Sequence, residues 1–121
     1  MANTFKVVTF AAEPSSAGTA YMMYTGAGST TTVVLGLILT NIHTSAVTVE
    51  VELVSDTGSR GGANNVTNGT SFLVKDVTIP AGSSLELLSG GKVVMETTDY
   101  LNIDCSVADI VSGTLSIMEI T

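Results

Sequence analysis

The sequence predicts an all-β protein, a two-sheet antiparallel β-sandwich that is Ig-like or jelly-roll-like, with about nine strands and no substantial helix. Three observations carry this. Apolar residues recur with a period of two, as in Val47, Val49, Val51 and Leu53 alternating with Thr48, Glu50, Glu52 and Val54. No window of eleven or more residues carries a helical period, and Thr and Val, both strand formers, are abundant. Turn residues also break the chain at short, regular intervals.

Strands are expected at 5–10, 19–24, 31–41, 46–54, 70–79, 84–88, 92–96, 100–107 and 112–120. The first carries Phe5, Val7 and Thr9 on one face and Lys6, Val8 and Phe10 on the other. With apolar groups on both sides it reads as a central strand, or as one completed by a neighbouring subunit through strand addition. Glu13-Pro14-Ser15-Ser16-Ala17-Gly18 ends it, and Gly26-Ala27-Gly28 ends the second. The third strand places Val33, Leu35, Leu37 and Leu39 opposite Val34, Gly36, Ile38 and Thr40, a nearly two-sided pattern that predicts a central position. After the Val47–Val54 strand comes a Gly/Asn/Ser-rich stretch, Asp56 to Asn68, holding the single Arg60; it is the longest polar loop.

In the fifth strand the apolar parity changes from Phe72 and Val74 to Val77 and Ile79, and a one-residue bulge at Lys75-Asp76 would return both sets to the core. Pro80-Ala81-Gly82 and Ser89-Gly90-Gly91-Lys92 are turns. Leu101, Ile103 and Cys105 share one face of the eighth strand. In the last, Met118-Glu119-Ile120 is out of phase with Leu115 and Ile117, so either a bulge intervenes or this strand is covered on both faces. Val49, Val51, Leu53, Leu37, Ile103 and Leu115 form the expected inter-sheet core.

The 121 residues form one domain by this reading, with residues 1–30 as an N-terminal arm or an edge-strand region. The chain is 45% hydrophobic but 12% charged, which argues against disorder and for a surface partly covered by partners. Its net charge is −7, and Lys6, Arg60, Lys75 and Lys92 are scattered, so neither nucleic acid nor an anionic membrane is an expected partner. The N-terminus lacks the apolar stretch of a secretory signal, and the run Val33 to Leu39 is far short of the ~20 residues that span a bilayer. Folding in a cytoplasm is expected.

Little chemistry is legible. His43 is the single histidine, in a loop, and no Gly-x-Ser-x-Gly elbow accompanies it. Cys105 has the parity of a buried thiol. One His and one Cys cannot complete a zinc site. Glu50 and Glu52 lie about 7 Å apart on an outward strand face, but a glycosidase pair also needs a cleft and aromatic platforms, and the chain has no Trp. Asp99, Asn102 and Asp104 do not form an EF-hand loop. Gly90-Gly91-Lys92 is followed by Val93 where a phosphate loop needs Ser or Thr. The expectation is no enzyme, no cofactor and no metal.

From the third strand onward the chain resembles small virion proteins of tailed phages, notably of cyanobacterial and other aquatic hosts. The stretches that carry the resemblance are Val33-Val34-Leu35-Gly36-Leu37-Ile38-Leu39-Thr40-Asn41, the Val47–Leu53 strand and Phe72-Leu73-Val74-Lys75-Asp76. They continue with Ile79-Pro80-Ala81-Gly82-Ser83-Ser84-Leu85, Lys92-Val93-Val94-Met95-Glu96, Asp99-Tyr100-Leu101 and Leu115 to Thr121. They cover residues 31–121 and include no catalytic motif. The resemblance implies a virion structural protein assembled in a host bacterial cytoplasm, either a capsid cement or decoration protein or a neck, tail or fibre component. It implies a homo-oligomer, a trimer above all, contacting the major capsid protein or other virion proteins. A carbohydrate-binding adhesin module is the remaining alternative, with the scarcity of aromatic residues against it. The candidate interaction residues are Phe5, Val7, Val8 and Phe10 of the first strand and Arg60 of the polar loop.

Overall fold

Two antiparallel sheets pack face to face in the computed structural model, which describes residues 2–55, 69–88 and 90–121. The first sheet has the order β1 (Asn3–Glu13), β9 (Val111–Ile120), β3 (Thr31–Asn41), β6 (Ser84–Leu87), and the short β7 (Val93–Met95) pairs with the opposite end of β3. The second sheet has the order β2 (Tyr21–Thr25), β8 (Tyr100–Cys105), β4 (Val47–Ser55), β5 (Gly69–Ile79). Setting β7 aside, the pairs β4–β5, β3–β6, β2–β8 and β1–β9 are nested in the sequence like the two arms of one long hairpin. The β3–β9 and β4–β8 pairings wind that hairpin into two sheets. This is the connectivity of a jelly roll, which decides between the two sandwiches that the strand pattern allows.

The core lies between the sheets. Val34, Leu37, Leu39, Leu115 and Ile117 project from the first sheet onto Val49, Val51, Leu101 and Ile103 of the second, all almost fully buried. Of the expected core, only Leu53 is half-buried. Cys105 is a buried free thiol. Pro80-Ala81-Gly82-Ser83 turns as expected, with Ser83 N donating to Pro80 O at 3.0 Å and Gly82 at φ +70°, the left-handed conformation a type II turn requires.

Register shifts in β3 and β5 break the simple alternation expected there. In β3 the register with β9 shifts between Val34 and Gly36, so Leu35 is a bulge. The inward set is therefore Val34, Leu37 and Leu39, and Val33 turns outward instead of sharing a face with Leu37. In β5 the bulge at Lys75-Asp76 is present, with Asp76 at φ +52°. A second irregularity, between the pairs Val51↔Val74 and Glu52↔Phe72, sends Phe72 to the outer face, where the Lys75 ammonium lies 4.7 Å from its ring centre. In β9, by contrast, pairing with β1 runs without interruption from Gly113 to Ile120. The phase change at Met118-Glu119-Ile120 is thus no bulge: Glu119 keeps the inward direction, and Met118 and Ile120 face outward.

The N-terminal segment is the edge strand of the first sheet. Asn3 to Phe10 pair residue by residue with β9, and Phe10 is buried, its ring lying over Gly113 and 5.3 Å from the Tyr21 ring centre. A Cβ at Gly113 would occupy the space of that ring. β1 is therefore neither a central strand nor a projecting arm.

An inward carboxylate at the end of β9 needs partners, and the fold supplies them from three other strands. Lys6 Nζ of β1 lies 2.7 Å from Glu119 Oε1, and the Tyr24 hydroxyl of β2 donates to Glu119 Oε2 at 2.5 Å. The Tyr24 oxygen in turn accepts from Thr32 Oγ1 of β3, 2.9 Å away. This chain of bonds ties the sheets together where the apolar core ends. The Lys6 ammonium foremost, and then the Tyr24 hydroxyl, hold the Glu119 carboxyl below its ordinary value of 4.5. Burial, and then the adjacent carboxylate, raise the Tyr24 phenol above 10.0. A carboxyl with a depressed folded pKa contributes stability that is present above its unfolded pKa and lost as pH falls through the folded one. A phenol with a raised folded pKa withdraws its contribution as pH rises past 10. Melting temperatures measured against pH should therefore fall on the acid side below about 4.5, and Glu119→Gln should flatten that acid limb relative to the parent. An acid limb unchanged in the variant would show that this carboxyl is not responsible.

Candidate interaction surface

The two outer faces of the sandwich differ in chemistry. On the second sheet, Glu50, Glu52, Asn102 and Asp104 project outward from β4 and β8, with Met22 and Phe72 beside them. Each carboxylate there already accepts from the chain itself. Lys75 Nζ lies 3.1 Å from Glu50 Oε2, Asn102 Nδ2 donates to Glu52 Oε1 at 3.1 Å, and Asp104 Oδ1 receives the amides of Gly18 and Cys105 at 3.1 and 2.8 Å. A shallow hollow of about 260 Å³ lies between Phe72 and the Gly18–Ala20 turn. Glu50 and Glu52 are thus a partnered strand face, with Phe72 opposite Glu52 and Tyr100 on the same face two residues from Asn102.

The outer face of the first sheet carries almost no charge. Phe5 of β1, Met118 of β9, Val33 of β3 and Val94 of β7 are successive cross-strand partners, so four apolar side chains form one row across the sheet. Phe5 is 71% exposed and Val94 59%, whereas Met118 and Val33 are half-buried by their neighbours. The adjacent row runs Val7, Ser116, Gly36, and the next runs Thr9, Thr114, Ile38, Glu86. Among the described residues in these rows, Glu86 is the one charged side chain. Gly36 and the short Ser116 and Thr114 leave a hollow of about 300 Å³, floored by Gly36 and walled by Leu35, Ile38 and Glu86. Nothing stands within 4 Å of where a Gly36 Cβ would lie.

The sequence-derived interaction residues separate on this structure. Phe5 and Val7 stand on the outer face of the first sheet, and Phe10 and Val8 are committed to the core side. Arg60 and the polar loop 56–68 lie outside the described residues. Val33, Ile38, Val94 and Met118 were not singled out from the sequence. The signal for them was present in the out-of-phase Met118-Glu119-Ile120 and in the two-sided β3, both marks of a sheet that is apolar on both faces.

The other candidate chemistry does not converge. His43 sits in the bend after β3, its amide donating to Asn41 Oδ1 at 2.8 Å. Asp99 is buried and accepts the Glu96 amide at 3.0 Å, whereas Asn102 and Asp104 point away from it to the outer face. No group of three or more His, Cys, Asp or Glu side chains is arranged to hold a metal ion among the described residues.

No family model and no curated protein matches the chain. Two solved structures are similar to it. One, described as Bacillus endospore appendages forming a novel family of disulfide-linked pili, is 16% identical with a TM-score of 0.49, covering 99% of this chain and 87% of that one. The other is from infectious bursal disease virus, Gx strain, 15% identical with a TM-score of 0.48 over 95% of this chain. This chain spans 33% of that viral chain's length. Identities this low transfer neither an activity nor a partner.

Proposed function

We propose that this chain is a structural protein of a tailed-phage particle, a decoration protein that binds the outer surface of the head and stabilises it. The observation that carries the reading is the uncharged apolar row Phe5–Met118–Val33–Val94 on a sheet face turned away from the core. A free-standing sandwich presents polar residues at such positions, and a contiguous apolar patch on a protein surface marks a site of association. Assembly, rather than turnover, is what such a face does. The partners are copies of itself and the major capsid protein, and the site of action is the virion. Jelly rolls host viral capsid domains and lectins alike, so the topology is compatible with this role without selecting it.

The test is to quantify the protein in purified particles against the major capsid protein. Copies in constant proportion to the shell subunits are the expected result. A number matching one ring at a single vertex would place it in the neck or tail instead, and absence from the particle would remove the virion role.

A further inference from the structure

We infer that two copies of this chain pair face to face through the outer surface of the first sheet, the Phe5 ring of each seated in the Gly36 hollow of the other. The inference rests on the reading of the chain as an assembling structural protein and specifies which surface assembles and with what.

Three observations single out a second copy as the occupant. The first is charge. The chain carries −7, and the second sheet's outer face presents Glu50, Glu52 and Asp104. Two copies meeting through that face would set carboxylates against carboxylates, and a basic partner would choose it. The first sheet's outer face, whose one charged side chain in the rows described is Glu86 beside the Gly36 hollow, is where like can meet like with the least juxtaposed charge.

The second is area. Four strand positions at about 4.8 Å spacing and ten residues at about 3.3 Å give a face of roughly 600 Å² before side-chain relief, approaching the ~800 Å² each partner contributes to a standard interface. Sheets stacked this way place their inner side chains in a layer about 10 Å thick, as in the sandwich itself.

The third is shape. Phe5 is the most exposed large apolar side chain among the described residues, and the Gly36 hollow lies on the same face, two strands across and one row along. A two-fold axis lying between the sheets, and bisecting the line from knob to hollow, seats both rings at once. Such an isologous contact closes on itself. A three-fold arrangement, the expectation from the resemblance, would set this face against a different surface and leave the ring and the hollow unmatched.

Sedimentation equilibrium of the purified chain should give the mass of a dimer. Raising the salt concentration should leave it intact or tighten it slightly, because screening weakens the net repulsion while no ion pair is lost. Phe5→Ala removes the knob and Gly36→Val fills the hollow; each should weaken pairing at least tenfold. At concentrations where the parent is itself dissociated both should melt with it, since Phe5 is exposed and a Cβ at Gly36 meets nothing. Met22→Ser, on the acidic face, should change nothing. A monomer at all concentrations, a trimer, or a dimer indifferent to both Phe5→Ala and Gly36→Val would each overturn the pairing. A parent monomer that still occupies particles in proportion to the shell would overturn the pairing alone, and a dimer absent from particles would overturn the virion role alone.

Discussion

Replacing Ile103 with alanine is expected to lower the melting temperature by about 10 °C or more, without changing the sheet content of the protein that remains folded. Ile103 is fully buried at the centre of β8, paired with Tyr21 of β2 on one side and Val51 of β4 on the other. It belongs to the same inter-sheet core as Leu37 and Leu115, so truncation opens a void that several strands would have to fill together. Paired strands cannot slide inward independently, because each is held in register by ladders on both sides. Losses of about 2–5 kcal/mol follow from such truncations. Against the ~5–15 kcal/mol that holds a domain of this size, that is a large fraction. Ile103→Val, which removes one methyl group, should cost only about 0.5–1.5 kcal/mol. Equal melting points for Ile103→Ala and the parent would mean that Ile103 is not between the sheets.

The strands were legible because a half-buried strand writes its burial directly into the sequence with a period of two. Val47 to Leu53 and Leu101 to Cys105 follow that rule without interruption, and both lie inside the second sheet, paired on either side. What the pattern could not give is the place where the period slips. Leu35 looked like one more inward residue of β3, and only the pairing of Gly36 with Ser116 and of Val34 with Ile117 makes it a bulge. The same limit misplaced Phe72: one bulge was readable from parity, but a second two residues earlier reversed its outcome.

Sidedness was ambiguous for a different reason. A strand that is apolar on both faces has the same sequence whether it lies at the centre of a sheet, as β3 does, or at the edge of a sheet whose outer face is itself apolar, as β1 does. Asn41 was equally hidden, because it reads as the start of the His43 loop. It is fully buried, and its amide donates to Ser45 O and Ile79 O at 2.9 Å, joining the end of β3 to the end of β5. That role depends on two carbonyls distant from each other in sequence, and no local pattern announces it.

Deleting residues 2–10 is expected to abolish folding, the largest single effect foreseen for this protein. The sequence alone leaves two outcomes open, a sandwich that survives the loss of an arm and one that collapses. The position of β1 chooses the second. Its removal takes Phe10 from the core and leaves the void over Gly113 and beside Tyr21 open to water. It strips Lys6 from Glu119, removing the cation that pairs with that carboxylate across β1 and β9. It also unpairs one whole side of β9, turning an interior strand into an edge whose outward Met118 and Ile120 invite aggregation. The aromatic void alone costs about 3–5 kcal/mol, and losing the whole β1–β9 ladder besides brings the loss to the scale of the stability available to a domain of this size. Circular dichroism and a thermal scan of the deleted chain should show no cooperative transition. The double variant Phe5→Ala, Val7→Ser, which trims only the outward side chains of the same strand, should melt close to the parent. A cooperative transition in the deleted chain at the parent's temperature would mean that β1 is dispensable to the sandwich, and that its pairing with β9 contributes nothing the remaining strands cannot replace.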